Sequence, residues 1–258
     1  MKFLRFQYNN QTKNGYYDGE KIIELKNSIL SYFNKTAEEV SKDFLESYSL
    51  EDVKILTPLT PSKIICIGLN YKDHAKEMNL ELPSAPIIFI KPSSTILPYG
   101  EDIIYPENSK RVDYEAELAI VIGEETSKVS KEEAEDKIFG YTIMNDVTAR
   151  DFTYADGQWT RGKSCDTFAP LGPVIETEMD PLNQNITLTI NNEIKQASNT
   201  KNMIFSPTKL IEYISQNITL YPGDIISTGT PPGVGPMEKD SEIKIVIDDI
   251  GTLINKLI

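Results

Sequence analysis

Between Lys63 and Ile247 the chain reads as short apolar runs cut by turn residues, and this pattern limits the available folds more than any other feature. Strands are expected at Lys63–Gly68, Ile87–Lys91, Glu115–Gly123, Phe139–Val147, Ile186–Asn191, Asp224–Thr228 and Glu242–Ile247. Helices do not alternate regularly with them. A Rossmann or (β/α)₈ arrangement is therefore disfavoured, and an antiparallel or mixed sandwich is expected. Helix start signals stand out at two places: Ser130 with Glu133 three residues on, and Ser206-Pro207, which opens a stretch carrying Leu210, Ile211 and Ile214. The fold class is α+β, mainly β, with few helices.

Residues 1–57 read as a small N-terminal α+β domain ahead of a second domain over 58–258. Strands at Met1–Tyr8 and Lys21–Leu25 are joined through the turn signals Asn14-Gly15 and Asp18-Gly19. Thr36 and Glu39 form a capping box, and Val40, Phe44 and Tyr48 follow at spacings of four, which predicts a helix with one apolar stripe. Pro58 and Pro61 mark a stiff connection into the remainder.

The formal net charge of −13 repels phosphate backbones and anionic headgroups, so neither a nucleic acid nor a membrane is an expected partner. The longest apolar run, Leu118 to Ile122, is too short to span a bilayer. Lys2 and Arg5 interrupt the apolar residues at the start, so no secretory signal is read there. Two cysteines, one of them in the apolar run Ile64-Ile65-Cys66-Ile67, suit a reducing, cytoplasmic compartment.

In Arg111-Val-Asp-Tyr-Glu-Ala-Glu-Leu118, charged and uncharged residues alternate strictly. Alternate strand residues share a face, so Asp113, Glu115 and Glu117 are expected to stack on one side. Like charges so close need water, bases or a cation to relieve them, and an exposed edge strand would satisfy the first of these. Asp146 adds an acid where the apolar run Phe139–Met144 ends, a usual place for sites. Glu115, Glu117 and Asp146 would offer hard oxygen donors. With no histidine or cysteine cluster, magnesium or manganese suits them better than zinc or copper.

The single histidine, His74, follows an apolar strand, and in a helical turn Glu77 would lie beside it at i,i+3. A carboxylate on one ring nitrogen raises basicity at the other, which a general base for water requires; a plain surface pair has the same spacing. Lys163, next to Gly162, is either a partner for developing negative charge or a solvated lysine on a loop. The loop Thr228-Gly-Thr-Pro-Pro-Gly-Val-Gly235 lacks the Lys-Ser/Thr of a P-loop and leads into no helix.

Together, GLNYKDHAKE, DYEAELAIVIG, GYTIMNDVTARD, GKSCDTFAPLGP and TGTPPGVG resemble the motifs of the fumarylacetoacetate hydrolase family in order and approximate spacing, from about Pro58 to the C-terminus. The resemblance implies a mixed β-sandwich roll, a homodimer, a magnesium or manganese ion on Glu115, Glu117 and Asp146, and a water-activating pair in His74 and Glu77. It casts Lys163 as the oxyanion or carbanion stabiliser, Lys91, Arg150 and Thr230 as substrate contacts, and Asp113 as a supporting residue. Leu69 stands where some members have Arg, and Thr153 where some hydrolytic members have Gln.

The expected partner is a small 2-oxo or 1,3-dicarbonyl acid. The expected activity is metal-dependent hydrolysis of a carbon–carbon bond in an acylpyruvate or fumarylacetoacetate type substrate through an enolate. The alternatives are an isomerase or decarboxylase of 2-hydroxymuconate, 2-oxo-diene-dioate or oxaloacetate type, and a non-catalytic ligand-binding protein on the same scaffold.

Overall fold

In the computed structural model, which describes residues 1–258, the strand Ala116–Ile122 is buried at every position. Alternation divides its side chains between two cores: Leu118, Ile120 and Ile122 enter the larger, Ala119 and Val121 the smaller. With both faces covered, Leu118–Ile122 reads as continuously apolar, not alternating.

Ala116–Ile122 lies between Ile138–Asn145 and Ile225–Ser227 in a twelve-stranded mixed sheet. Ile64–Gly68 adds parallel to Ile225–Ser227, and Ile87–Lys91 closes that end antiparallel. A five-stranded sheet, which includes Asn185–Ile190, Glu242–Ile247 and Gly251–Leu257, closes the larger core with inward residues such as Leu188, Ile245 and Leu253. The first unit helps close the smaller core, where the Phe3 ring stacks 5.8 Å from Tyr32 and lies 5.6 Å from Phe139. The mainly β sandwich expected from the strand spacing is the observed fold, and every strand named above is present with ends shifted by at most a residue or two.

The sequence reading misses Ala169–Glu176, where Pro170 and Pro173 argue against a strand, and Gly251–Leu257. Ala169–Glu176 pairs with Ile138–Asn145 on one side and with Lys2–Tyr8 on the other, at Lys2↔Glu176 and Phe3↔Ile175. Strands of the first 57 residues therefore extend the main sheet.

Two local expectations within that unit are corrected. Asn9 and Asn10, both in the left-handed region (φ 48° and 60°), make the turn between Lys2–Tyr8 and Gln11–Tyr17, and Asn14-Gly15 lies inside the second strand. Gly15 is needed there for close approach, because a Cβ would fall 2.6 Å from Ile22 Cγ2. The Thr36–Glu39 capping box forms, but its helix is only Ala37–Ser41, and Phe44–Tyr48 is a strand. Phe44 and Tyr48 are an even number of residues apart, so they share a face of a strand as readily as of a helix.

Lys72–Glu77 forms the helical turn on which the His74–Glu77 spacing depends, and two further short helices, Arg150–Asp156 and Thr160–Lys163, carry no start signal in the sequence. None is long enough to display an apolar period, yet they carry His74, Arg150 and Lys163. No helix is long and apolar enough to cross a membrane.

Gly15→Ala should cost about 1–3 kcal/mol through overpacking against Ile22 and Phe6, measured by denaturant unfolding. A loss below about 0.5 kcal/mol, as at open surface positions, would mean that Gly15 is not packed in a strand.

Candidate active site

The acidic alternation does not make one continuous strand. Val112–Tyr114 pairs with Thr148–Ala149 and Gly235–Pro236 in a separate small sheet, whereas Ala116–Ile122 belongs to the main one. Glu115 is the residue at which the chain passes between them. Its N–H donates to Asn145 Oδ1 (3.0 Å), its carbonyl accepts from Asp146 N (2.8 Å), and the next N–H, of Ala116, donates to Gln196 Oε1 (3.0 Å). These bonds bring Glu115 and Glu117 beside Asp146, and one carboxylate oxygen from each of the three lies within 4.8 Å of the others.

Asp113 is turned away from this group, contrary to the expected stack of three. It accepts from Arg111 Nε and from Arg150 Nε, both at 2.8 Å. Arg150 also donates through Nη2 to Glu115 Oε1 (2.6 Å), so it ties the two acids together.

Lys163 is no solvated loop residue: it ends the helix Thr160–Lys163, is buried, and its ammonium bridges Glu115 Oε2 (2.7 Å) and Asp146 Oδ2 (2.6 Å). Burial works against its charge, but Asp146 and Glu115 outweigh that and hold the ammonium well above the usual lysine range. Lys91 is fully buried and donates to Asp146 Oδ1 (2.6 Å) and to the Val147 carbonyl (3.1 Å). Burial alone would push Asp146 up, but Lys163 and Lys91 prevail and lower it.

Glu117 is the exception, for no cation touches it. Its Oε2 accepts from Ser227 Oγ (2.5 Å) and from Gly229 N (2.9 Å). Burial, reinforced by Asp146 and Glu115, pushes its carboxyl up to about 8. A buried all-oxygen cluster with one uncompensated acid fits a hard divalent cation: Glu115, Glu117 and Asp146 would hold it.

Both members of the predicted base pair line the same cavity of about 460 Å³ as Glu115 and Glu117. His74 Nδ1 lies 2.8 Å from Glu77 Oε2 within Lys72–Glu77. That helix is held from two sides. Asp73 accepts from Ser198 Oγ (2.5 Å) and Asn202 Nδ2 (3.1 Å), and Glu77 Oε1 accepts from Gly233 N (3.0 Å) in the glycine loop.

Of the three expected substrate contacts, Arg150 and Thr230 line the cavity and Lys91 does not. Lys91 is walled off behind Asp146, so its role is to hold that carboxylate. The Thr230 hydroxyl donates to the Ala116 carbonyl (2.9 Å), and it accepts from Gln196 Nε2 (2.9 Å). Gln196, which sequence reasoning missed, thus joins the backbone between the two glutamates to the glycine loop, donating also to the Pro231 carbonyl (2.8 Å). Nothing in its sequence neighbourhood marks it, because its contacts are with residues distant in the chain.

Residues 63–258 match the fumarylacetoacetate (FAA) hydrolase C-terminal family, and residues 1–58 match an Rv2993c-like N-terminal family. The chain belongs to the fumarylacetoacetate hydrolase family. It is 57% identical to the protein MJ1656 of Methanocaldococcus jannaschii over 81% of this chain and 86% of that one. It is 44% identical to the mitochondrial oxaloacetate tautomerase Fahd2a of Rattus norvegicus, over 80% of this chain and 70% of the relative. The crystal structure of a 5-carboxymethyl-2-hydroxymuconate delta-isomerase from Mycobacterium smegmatis superposes with a TM-score of 0.91 at 36% identity, covering 100% of this chain and 99% of that one.

Glu117→Gln should remove magnesium binding, read by calorimetry, while the fold survives. The same variant tests the electrostatics. Between the ordinary glutamate range and about 8, the ion-free folded chain keeps a proton that the unfolded chain has lost. The stability from that proton is fully present below the unfolded value and disappears as pH rises through about 8. Chelator-treated wild type should therefore lose Tm from pH 6 to 9 more steeply than Glu117→Gln; parallel curves would show that Glu117 is not the protonated group. Asp146→Ala, by contrast, strands the buried Lys91 ammonium and should cost about 3–5 kcal/mol in a denaturant titration.

Proposed function

We propose that the chain is a divalent-metal-dependent hydrolase that cleaves a carbon–carbon bond in a 2-oxo or 1,3-dicarbonyl acid of acylpyruvate or fumarylacetoacetate type. The observation that carries this reading is the His74–Glu77 pair in the same cavity as the acidic cluster. A bound magnesium or manganese ion would supply Lewis acidity toward the carboxylate and adjacent oxo oxygen of such an acid.

The protein's own groups do the rest. With Nδ1–H donated to Glu77, His74 keeps its Nε2 lone pair free to take a proton from water. The hydroxide oxygen bonds to the distal carbonyl carbon, and the carbon–carbon bond then breaks with its electron pair passing to the departing enolate. Lys163 offers that negative charge a buried ammonium. His74 returns the proton to the enolate carbon, so the pair finishes as it began.

The names of two relatives, a tautomerase and a delta-isomerase, favour a second reading in which His74 only moves a proton between carbon and oxygen. Product analysis separates the two. In acylpyruvate turnover with magnesium, hydrolysis yields pyruvate and a second carboxylic acid, whereas tautomerisation or isomerisation leaves the carbon count unchanged. His74→Ala should lower hydrolysis by about 10²-fold or more. Turnover that stays near wild type would remove His74 as the proton carrier in both readings, whereas absence of hydrolysis, with product carbon count unchanged in the wild type, would favour the second.

A further inference from the structure

The cavity has two unlike halves. In and directly behind the polar half, the four acids Asp113, Glu115, Glu117 and Asp146 are matched in number by Lys91, Arg111, Arg150 and Lys163, so the formal charges cancel. His74 and Glu77 form a further self-compensated pair. A divalent ion adds two positive charges, and the carboxylate and enolate oxygen of a 2-oxo acid head supply two negative ones. No cation then remains for a second carboxylate.

The other half is apolar. Phe89 marks the border: the Lys163 ammonium lies 5.0 Å from its ring centroid, and Trp159 meets the ring edge-on at 5.3 Å. Trp159 is able to lie there because position 68 is glycine; a Cβ on Gly68 would come within 2.9 Å of the indole. Leu69, held in the left-handed region at φ 38°, also lines the cavity, as do Met78, Leu80 and Ile87, which are all exposed. All of these side chains gain by being covered with hydrocarbon, and none carries a charge to pair with a distal anion; the Trp159 indole N–H is the one polar group among them.

From this division we infer that the substrate is a monocarboxylate whose far end is apolar, and that the pocket discriminates against dicarboxylates. The inference rests on the proposed 2-oxo acid reading of the polar half and adds the identity of the distal group. An unpaired carboxylate pressed against Leu69, Ile87 and Trp159 loses hydration with no countercharge in return, whereas each methylene covered there strengthens binding about fourfold.

The test compares two unreactive acids of equal chain length, 2-oxohexanoate and 2-oxohexanedioate, by calorimetry on the magnesium-loaded protein. Binding of 2-oxohexanoate about tenfold tighter or better is expected, with Leu69→Arg reversing the order. Ile87→Arg serves as the second variant should the strained position 69 not accept arginine. Tighter binding of the dioate by wild type overturns the distal assignment and leaves the head-group reading standing. Absence of binding by both acids overturns the two together, and turnover of acylpyruvates measured separately tells whether the active site itself was misplaced.

Discussion

Four carboxylates and four cations meet where the central strand leaves the main sheet; the carboxylates, Lys91 and Lys163 are buried, whereas Arg150 is partly and Arg111 largely open to water. A buried charge would be prohibitive alone, and Asp113, Glu115, Asp146, Lys91 and Lys163 persist because each faces a group of opposite sign at hydrogen-bonding distance. The pairing is uneven. Asp146 is gripped by two lysines and Glu115 by Arg150 and Lys163, but Glu117 has only a hydroxyl and a backbone N–H. The shortage of positive charge is thus concentrated on one carboxylate, and a cation arriving there finds two further oxygen donors already oriented.

That arrangement follows from how the sheets are joined. A strand that simply continued past Glu115 would carry Asp113, Glu115 and Glu117 on a single face. Instead the chain changes partners at Glu115, Asn145 and Gln196 fix the backbone on either side, and Asp113 is delivered to the arginines. Gln196 comes from the five-stranded sheet, so the second layer of the sandwich directly sets the spacing of the acids in the first. Glu77 reaches the glycine loop, which anchors the histidine-bearing helix to the same framework.

The family includes proteins named for hydrolysis, isomerisation and tautomerisation, and the geometry makes that breadth intelligible. All three reactions profit from stabilising an enolate at the polar half of the cavity. What separates them is whether a water molecule is activated and what the apolar half accepts. On the proposed reading, chemistry and specificity fall to different residues of one cavity, His74 and Glu77 for the former, Leu69, Ile87 and Trp159 for the latter.

Much of this was legible in the chain alone. Strand spacing defined the mainly β class because turn residues act locally, and the capping pairs Thr36–Glu39, Ser130–Glu133 and the Ser206 cap form as read because each involves neighbours a few residues apart. The acids Glu115, Glu117 and Asp146 were recognisable as a set of hard donors, and His74 with Glu77 by their i,i+3 spacing. Tertiary structure alone decided that Asp113 leaves the set, that Lys91 is a buried support, that Lys163 bridges two acids, and that Gln196 holds the break. Those outcomes depend on contacts across tens of residues and on burial, which sets both the charge state and the partner of each group, and neither is written in local spacing.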